Sequence, residues 1–219
     1  MRVAVISRRE AIALVVAHHY MHRKPPVSFC FGLIDDFGNT KGCITFGTPA
    51  SRQMLIGACK AAPETVIELN RLWVHDDMPR NTESWFVSRA LALLPPRIIL
   101  SYADTAAGHK GYIYRAANFY YAGWTDMDRK TPRFGYECED KIISGGFLPD
   151  HVSKTHDGDH MRNGYIKKIP RSMKVKYWTV TGNRRERHKL EASCLWPKLD
   201  WKTNPPPSEH RKCSSAASI

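Results

Sequence analysis

The stretch from Arg97 to Ala103, set between Pro95-Pro96 and Asp104, shows no alternation of apolar and polar residues. A strand with one face in water alternates, so a continuous apolar run predicts a strand covered on both faces. The preceding segment supplies one cover. Phe86, Val87, Ala90, Leu91, Leu93 and Leu94 form a broad apolar face, Asn81 or Thr82 stands where a cap belongs, and the two prolines end the helix. Strand and helix alternating in this way predict an α/β (α+β) chain built on a mixed central sheet flanked by helices.

The surrounding pattern agrees. Arg2 to Ile6 reads as a strand, and Ser7, three residues before Glu10, has the spacing of a capping box. A helix from Arg8 to about His19 follows, with Ile12, Val15, Val16 and His19 on one face. Val27 to Ile34 and Gly42 to Phe46 read as a hairpin, Ser51 to Ala61 as a short helix and Thr65 to Val74 as a strong strand. Gly111 to Ala117 fits a short helix ended by a left-handed Asn118, and Phe119 to Trp124 returns as a strand. Beyond Asp126 come strand-like pieces at Lys141 to Ile143 and Lys174 to Val180, then a basic helix from Arg184 to Cys194. The expected organisation is a core over 1–126, a basic extension over 127–202 that completes the domain, and a disordered tail over 203–219 containing Pro205-Pro206-Pro207.

The 219 residues carry 33 basic and 21 acidic groups, a net charge of +12. The excess concentrates between Arg162 and Lys189, where Arg162, Lys167, Lys168, Arg171, Lys174, Lys176, Arg184, Arg185, Arg187 and Lys189 face one acid, Glu186. A polyanion is the natural partner, since neutralising phosphates releases condensed counterions; a solvated basic surface is the plainer reading. The cysteines lie scattered without a close pair, which indicates neither a zinc knuckle nor a disulfide framework and suits a reducing cytoplasm. Apolar runs such as Ala11 to Ala17 fall short of the roughly 20 residues a membrane span requires. Nor does the start show the succession of a secretory signal.

Several groups of residues can carry chemistry. His18, His19 and His22 gather with Tyr20 and Arg23 where the first helix ends; they suit either a metal or the negative end of the helix dipole. Glu68, Asn70 and Arg71 interrupt an apolar strand, and simple alternation puts Glu68 and Asn70 on one face and Arg71 on the other. Unpaired burial of such groups costs about 1–3 kcal/mol each, so they demand partners, a ligand or an internal salt bridge. Ser101-Tyr102-Ala103-Asp104 closes the most apolar strand, and ligands of open α/β sheets bind beyond the carboxyl ends of strands. Tyr114 follows on the next helix. Tyr120, Tyr121 and Trp124 read as core or as a stacking surface, and the loop holding His151, His156, Asp157, Asp159 and His160 shows no recognised ligand spacing.

Five pieces, His18-His19-Tyr20, Glu68 to Trp73, Pro79 to Ser84, Ser101 to Asp104 and Tyr114 to Gly123, resemble in order and spacing the phage Mom family of DNA adenine modification proteins. The resemblance covers residues 10–125, with a weaker echo in Tyr177 to Leu190 and Pro197-Lys198. It implies a fold like the Gcn5-related N-acetyltransferases and conversion of DNA adenine to N6-(carbamoylmethyl)adenine, which shields phage DNA from host restriction. It also implies catalytic roles for Tyr20, Arg71, Asp104 and Tyr114, and less directly Ser84. Within that frame Asp104 is the expected base, while His19, Glu68, Asn70, Ser101 and Asn118 are expected to bind substrate. Arg162, Lys167, Lys168, Arg184, Arg185 and Arg187 are expected to contact double-stranded DNA around a flipped adenine.

The donor is not specified by the residues. An acyl-CoA type follows from the implied fold, yet the glycine-rich loop that holds a pyrophosphate is replaced after the Thr65 to Val74 strand by Met78 to Ser84. Arg80 and the helix start there remain able to accept an anion. Iron, considered for the family, would call on His18, His19 and His22. A conventional N-acetyltransferase acting on a protein or small amine, and a non-catalytic DNA-binding module, are the alternatives.

Overall fold

The computed structural model describes residues 1–127 and 172–206, together with the strand backbone of 134–138, 141–143 and 166–170. Its strands are β1 (Arg2–Val5), β2 (Phe29–Ile34), β3 (Thr40–Gly47), β4 (Val66–Val74), β5 (Ile98–Asp104) and β6 (Tyr120–Trp124), then β7 (Phe134–Cys138), β8 (Lys141–Ile143), β9 (Ile166–Pro170) and β10 (Lys174–Val180). The helices are α1 (Arg8–His18), α2 (Arg52–Ala58), α3 (Thr82–Ala92), α4 (Tyr112–Ala116) and α5 (Arg184–Ser193). A seven-stranded sheet runs β1-β2-β3-β4-β5-β10-β6, and β8-β7-β9 form a small second sheet. In the large sheet β4 and β5 are parallel and the other neighbours antiparallel. No helix among the described residues is long and apolar enough to cross a membrane.

The apolar run behaves as its composition demands. Ile98, Ile99 and Leu100 are each 0% exposed. Ile99 joins Leu33, Phe46, Leu69, Val175 and Tyr177 beneath Phe86, Val87 and Ala90 of α3. Ile98 and Leu100 turn to the opposite face with Val66, Trp178 and Val180, covered by Ala58 and Cys59 and by Leu190 and Trp196. Burying each large aliphatic side chain contributes about 1.5–3 kcal/mol, which makes β5 the anchor of both layers. β10 lies between β5 and β6, so the segment after Asp126 supplies an inner strand of the sheet. Tyr121 is buried and donates its hydroxyl to Asn204 O, and Tyr120 packs on Trp178; both belong to the core.

Two expected caps form differently. Ser7 Oγ accepts from the Glu10 amide at 3.1 Å, but Glu10 Oε1 is taken by the Thr40 hydroxyl, leaving half a capping box. Asn81 sits in the left-handed region and makes no side-chain cap, while Thr82 Oγ1 donates to Pro79 O. The full capping box belongs to α5, where Asn183 and Glu186 bond reciprocally.

Two features of β4 create the site. Pairing with β5 lasts from Val66 opposite Ile98 to Leu69 opposite Ser101 and then stops, although both strands continue. Past that point β4 stays with β3 and β5 with β10, so the strands part and a cleft opens at their carboxyl ends. The second feature is a bulge. Thr45 pairs with Arg71 and Phe46 with Leu69, leaving Asn70 as the additional residue. The alternation expected from sequence therefore fails here: Leu72 and Val74 join Leu69 on the α3 side, and Arg71 faces the cleft with Glu68 and Asn70.

Candidate active site

The cleft has a volume of about 430 Å³, within the size range of small-molecule sites. Tyr20, Arg71, Asp104 and Tyr114 all line it, and so do His18, His19, Glu68 and Asn70. It is open to solvent on the side of Tyr20, which is 49% exposed. The groups interact electrostatically: Tyr20 with Asp104 and Arg71, Tyr114 with Tyr20 and Glu68.

Each side chain is held by local structure. Arg71 donates from Nη1 to Asn70 O at 2.6 Å, which fixes the guanidinium against the bulge. Its Nε is buried and has no partner, so one donor of the rigid guanidinium is left unsatisfied beside the cleft. Burial lowers the Arg71 pKa, opposed by Tyr20 and Glu68. Tyr114 projects from α4, packs on Phe119 and Tyr177 and hydrogen-bonds with Ser101. Burial raises its hydroxyl to about 12. Burial, reinforced by Asp104, also raises Tyr20. Both phenols therefore keep their protons at neutral pH and act as donors.

The carboxylates differ. Asp104 Oδ1 accepts from the Ala106 amide at 3.0 Å, and Oδ2 lies 3.8 Å from Lys174 Nζ. The base expected at this position is thus engaged on both oxygens, capping the turn over Thr105–Ala107 and facing a cation. Glu68 has no hydrogen-bond partner among the described residues, and the internal salt bridge considered for it is not formed. Burial raises its pKa to about 7, with Lys174 and Arg71 only partly opposing.

His19 is 8% exposed, and Nδ1 accepts from the Met21 amide at 3.2 Å. Burial, with help from Arg71, lowers its pKa to about 4, so the ring is neutral. His18 stacks on Trp73 with centroids 4.3 Å apart, and His22 Nδ1–H donates to Val16 O at 2.9 Å. The three rings take different partners, and no group of three His, Cys, Asp or Glu able to hold a metal converges among the described residues. This donor set does not fit an iron site. Nor does the segment after β4 suit a pyrophosphate. Asp77 is tied there to Lys41 and His75, and Glu83 stands in the first turn of α3 and lines the cleft.

One expected catalytic residue, Ser84, and two expected substrate contacts, Ser101 and Asn118, fall elsewhere. Ser84 Oγ donates to Asn81 O within α3's first turn, outside the cleft lining. Ser101 is buried behind the site, where it donates to Leu69 O at the point of parting and supports Tyr114. Asn118 is exposed with φ 60 and ends α4, the turn role its residue type suits. Lys110, Lys174, His109 and Trp73 also line the cleft. Lys174 stands opposite Asp104 in the β5–β10 register, a pairing invisible without the topology.

The basic residues are divided. Arg184, Arg185 and Arg187 are exposed on α5, which starts just past Val180 opposite Ile98. Six residue steps separate that register from Lys174 opposite Asp104, about 20 Å along the strand. These arginines therefore sit at the end of the sheet away from the cleft, whereas Lys110 and Lys174 border it. The side chains of Lys167 and Lys168, all of Arg162, the His151 to His160 loop and residues 207–219 lie outside the described residues.

The parting of two parallel strands thus brings the Arg71 guanidinium, the Tyr20 and Tyr114 phenols and the Glu68 and Asp104 carboxyls to one cleft. The sequence model of the Mom protein family matches residues 1–192, and the chain belongs to that family. Over 62 residues it is 48% identical to Methylcarbamoylase mom of Escherichia phage Mu, a match that takes in 26% of each chain. The matched stretch thus spans about a quarter of that relative's length. A solved structure from Acinetobacter baylyi ADP1, described as a proposed acetyltransferase, aligns with 84% of this chain and 93% of its own at 8% identity and a TM-score of 0.44.

Proposed function

We propose that the chain is a DNA-modifying transferase that converts adenine to N6-(carbamoylmethyl)adenine and so shields phage DNA from restriction in the host cytoplasm. The observation that carries this reading is the meeting of Tyr20, Arg71, Asp104 and Tyr114 in one open cleft, in a chain of the Mom family.

The chemistry accounts for the residue types. The exocyclic amine of adenine is a weak nucleophile because its lone pair is delocalised into the ring, so attack requires proton removal and a closely held electrophile. Arg71, with its free Nε, would hold an oxygen on which negative charge grows. Tyr20 and Tyr114, both kept protonated, would donate to the base or the donor. The amine lies inside a duplex, so the base must be extruded at an expense of a few kcal/mol, offset by stacking and backbone contacts. Lys110 and Lys174 at the cleft would meet the flanking phosphates, and the α5 arginines a more distant part of the backbone.

The test is nucleoside analysis. Plasmid from cells expressing the soluble protein, digested and examined by mass spectrometry, should yield an adenosine heavier by one carbamoylmethyl group. Only ordinary nucleosides would contradict the reading, and amine acetylation from acetyl-CoA without DNA would replace it with conventional acyl transfer.

A further inference from the structure

We infer that Glu68 is the proton acceptor of the cleft, the group that takes the proton from the adenine amine as the new bond forms. This inference rests on the function proposed above. In the step it describes, an N6–H bond breaks and its proton passes to a Glu68 carboxylate oxygen. The nitrogen lone pair forms a bond to the methylene carbon of an electrophilic carbamoylmethyl donor, and the donor's leaving group departs with the electrons of the broken carbon bond.

Position is the first argument. Glu68 is opposite Leu100, one register before the last β4–β5 pair, so its side chain stands at the floor of the cleft where the strands begin to separate. The groups facing it are Arg71 on its own strand, Lys174 on β10 and Tyr114 on α4. Tyr20 and His19, on the segment closing α1, act on Arg71 rather than directly on Glu68. Availability is the second argument. Asp104 is already engaged by an amide and an ammonium, whereas no donor among the described residues occupies the Glu68 oxygens. Burial, only partly opposed by two flanking cations, also brings its titration close to neutral pH, which is where a general base works best. The same burial would be unfavourable for a carboxyl with a purely structural task.

The experiment compares plasmid nucleosides from cells expressing wild type, Glu68→Gln and Glu68→Asp, with the purified chains checked for melting temperature and DNA affinity. Loss of a general base typically lowers rate about 10²–10⁴-fold, so Glu68→Gln should drop modified adenosine to about 1% of wild type or below. Its DNA affinity should stay level, and its melting temperature should not fall below that of wild type. Glu68→Asp, which retains a carboxylate withdrawn by one methylene, should fall in between. Modification by Glu68→Gln within about threefold of wild type overturns the assignment. So does a loss that merely tracks lost DNA affinity. If Glu68→Gln proves insoluble, the aspartate variant decides: wild-type modification overturns the inference and an intermediate level supports it. Absence of modification with wild type overturns the functional reading itself, and the inference with it, and is thereby distinguishable from a defect seen only in the variants.

Discussion

The buried hydroxyl of Thr45 on β3 donates to the side-chain oxygen of Asn70 on β4 at 2.6 Å. The Asn70 Nδ2 in turn donates to Pro26 O at 2.7 Å. One amide therefore ties the bulge that turns Arg71 into the cleft to the segment that carries Tyr20. Thr45 is 0% exposed, so no water replaces a lost partner. Asn70→Ala should cost about 1–3 kcal/mol and lower Tm by about 2–10 °C in a chain of this size, measured by calorimetry. Modified adenosine should fall with it.

Two glycine substitutions should have opposite signs. A Cβ on Gly47 would lie 2.0 Å from Pro26 O, a backbone atom, so Gly47→Ala must displace the segment following α1. At Gly57, inside α2, nothing lies within 4 Å. Gly57→Ala should raise stability by up to about 1 kcal/mol through helix propensity, while Gly47→Ala lowers it by about 1–3 kcal/mol. Thermal denaturation of the two variants beside wild type checks both.

The pH dependence of stability has two opposed parts. His19 is lowered from 6.5 to about 4, so the unfolded chain binds the extra proton between those values and stability declines as pH falls through them. Glu68 is raised from 4.5 to about 7, so the native state binds the extra proton, and the stability it confers at low pH is lost as pH rises toward 7. Glu68→Gln should therefore melt above wild type at pH 8 and converge with it near pH 4.5. His19→Gln should lose less stability than wild type between pH 6.5 and 4. Melting curves across this range separate the two effects.

Legibility in the sequence followed the range of the interactions. The Arg97 to Ala103 run announced its strand because burial on both faces leaves a local compositional mark, and Asn118 announced its turn because few residues tolerate φ 60. The strand at Lys174 to Val180 was readable as a strand, but not as the inner neighbour of β5, since antiparallel pairing over some seventy residues leaves no local signal. For that reason the sequence shows Lys174 only as part of a basic stretch and gives no sign that it partners Asp104. Arg71 was misdirected by strict alternation because a bulge depends on register with β3. Glu68 and Asp104 are equivalent as carboxylates in the sequence; the amide and ammonium at Asp104, against the lack of a hydrogen-bond donor to Glu68 among the described residues, distinguish them.

Charge at the two ends of the sheet should separate in salt titrations. Arg184, Arg185 and Arg187 are exposed and remote from the cleft, so neutralising all three should reduce the log–log salt slope of DNA binding by up to about 2.7, at about 0.9 per phosphate. Lys174→Gln, at the cleft, should change that slope by about one unit or less while cutting modified adenosine more strongly per DNA bound. Fluorescence anisotropy at several salt concentrations supplies the slopes; an unchanged slope in the triple variant would mean α5 faces away from DNA.

The account stands most directly on Arg71, whose buried Nε has no partner among the described residues. The decisive measurement is the amount of modified adenosine in plasmid DNA from cells holding equal soluble levels of wild type, Arg71→Lys and Arg71→Ala. A planar donor set aimed at a growing charge is not replaced by an ammonium, so both variants should fall by about 10²-fold or more while still binding DNA. Modification at the wild-type level in either one would contradict the claim that the chemistry takes place where β4 and β5 part.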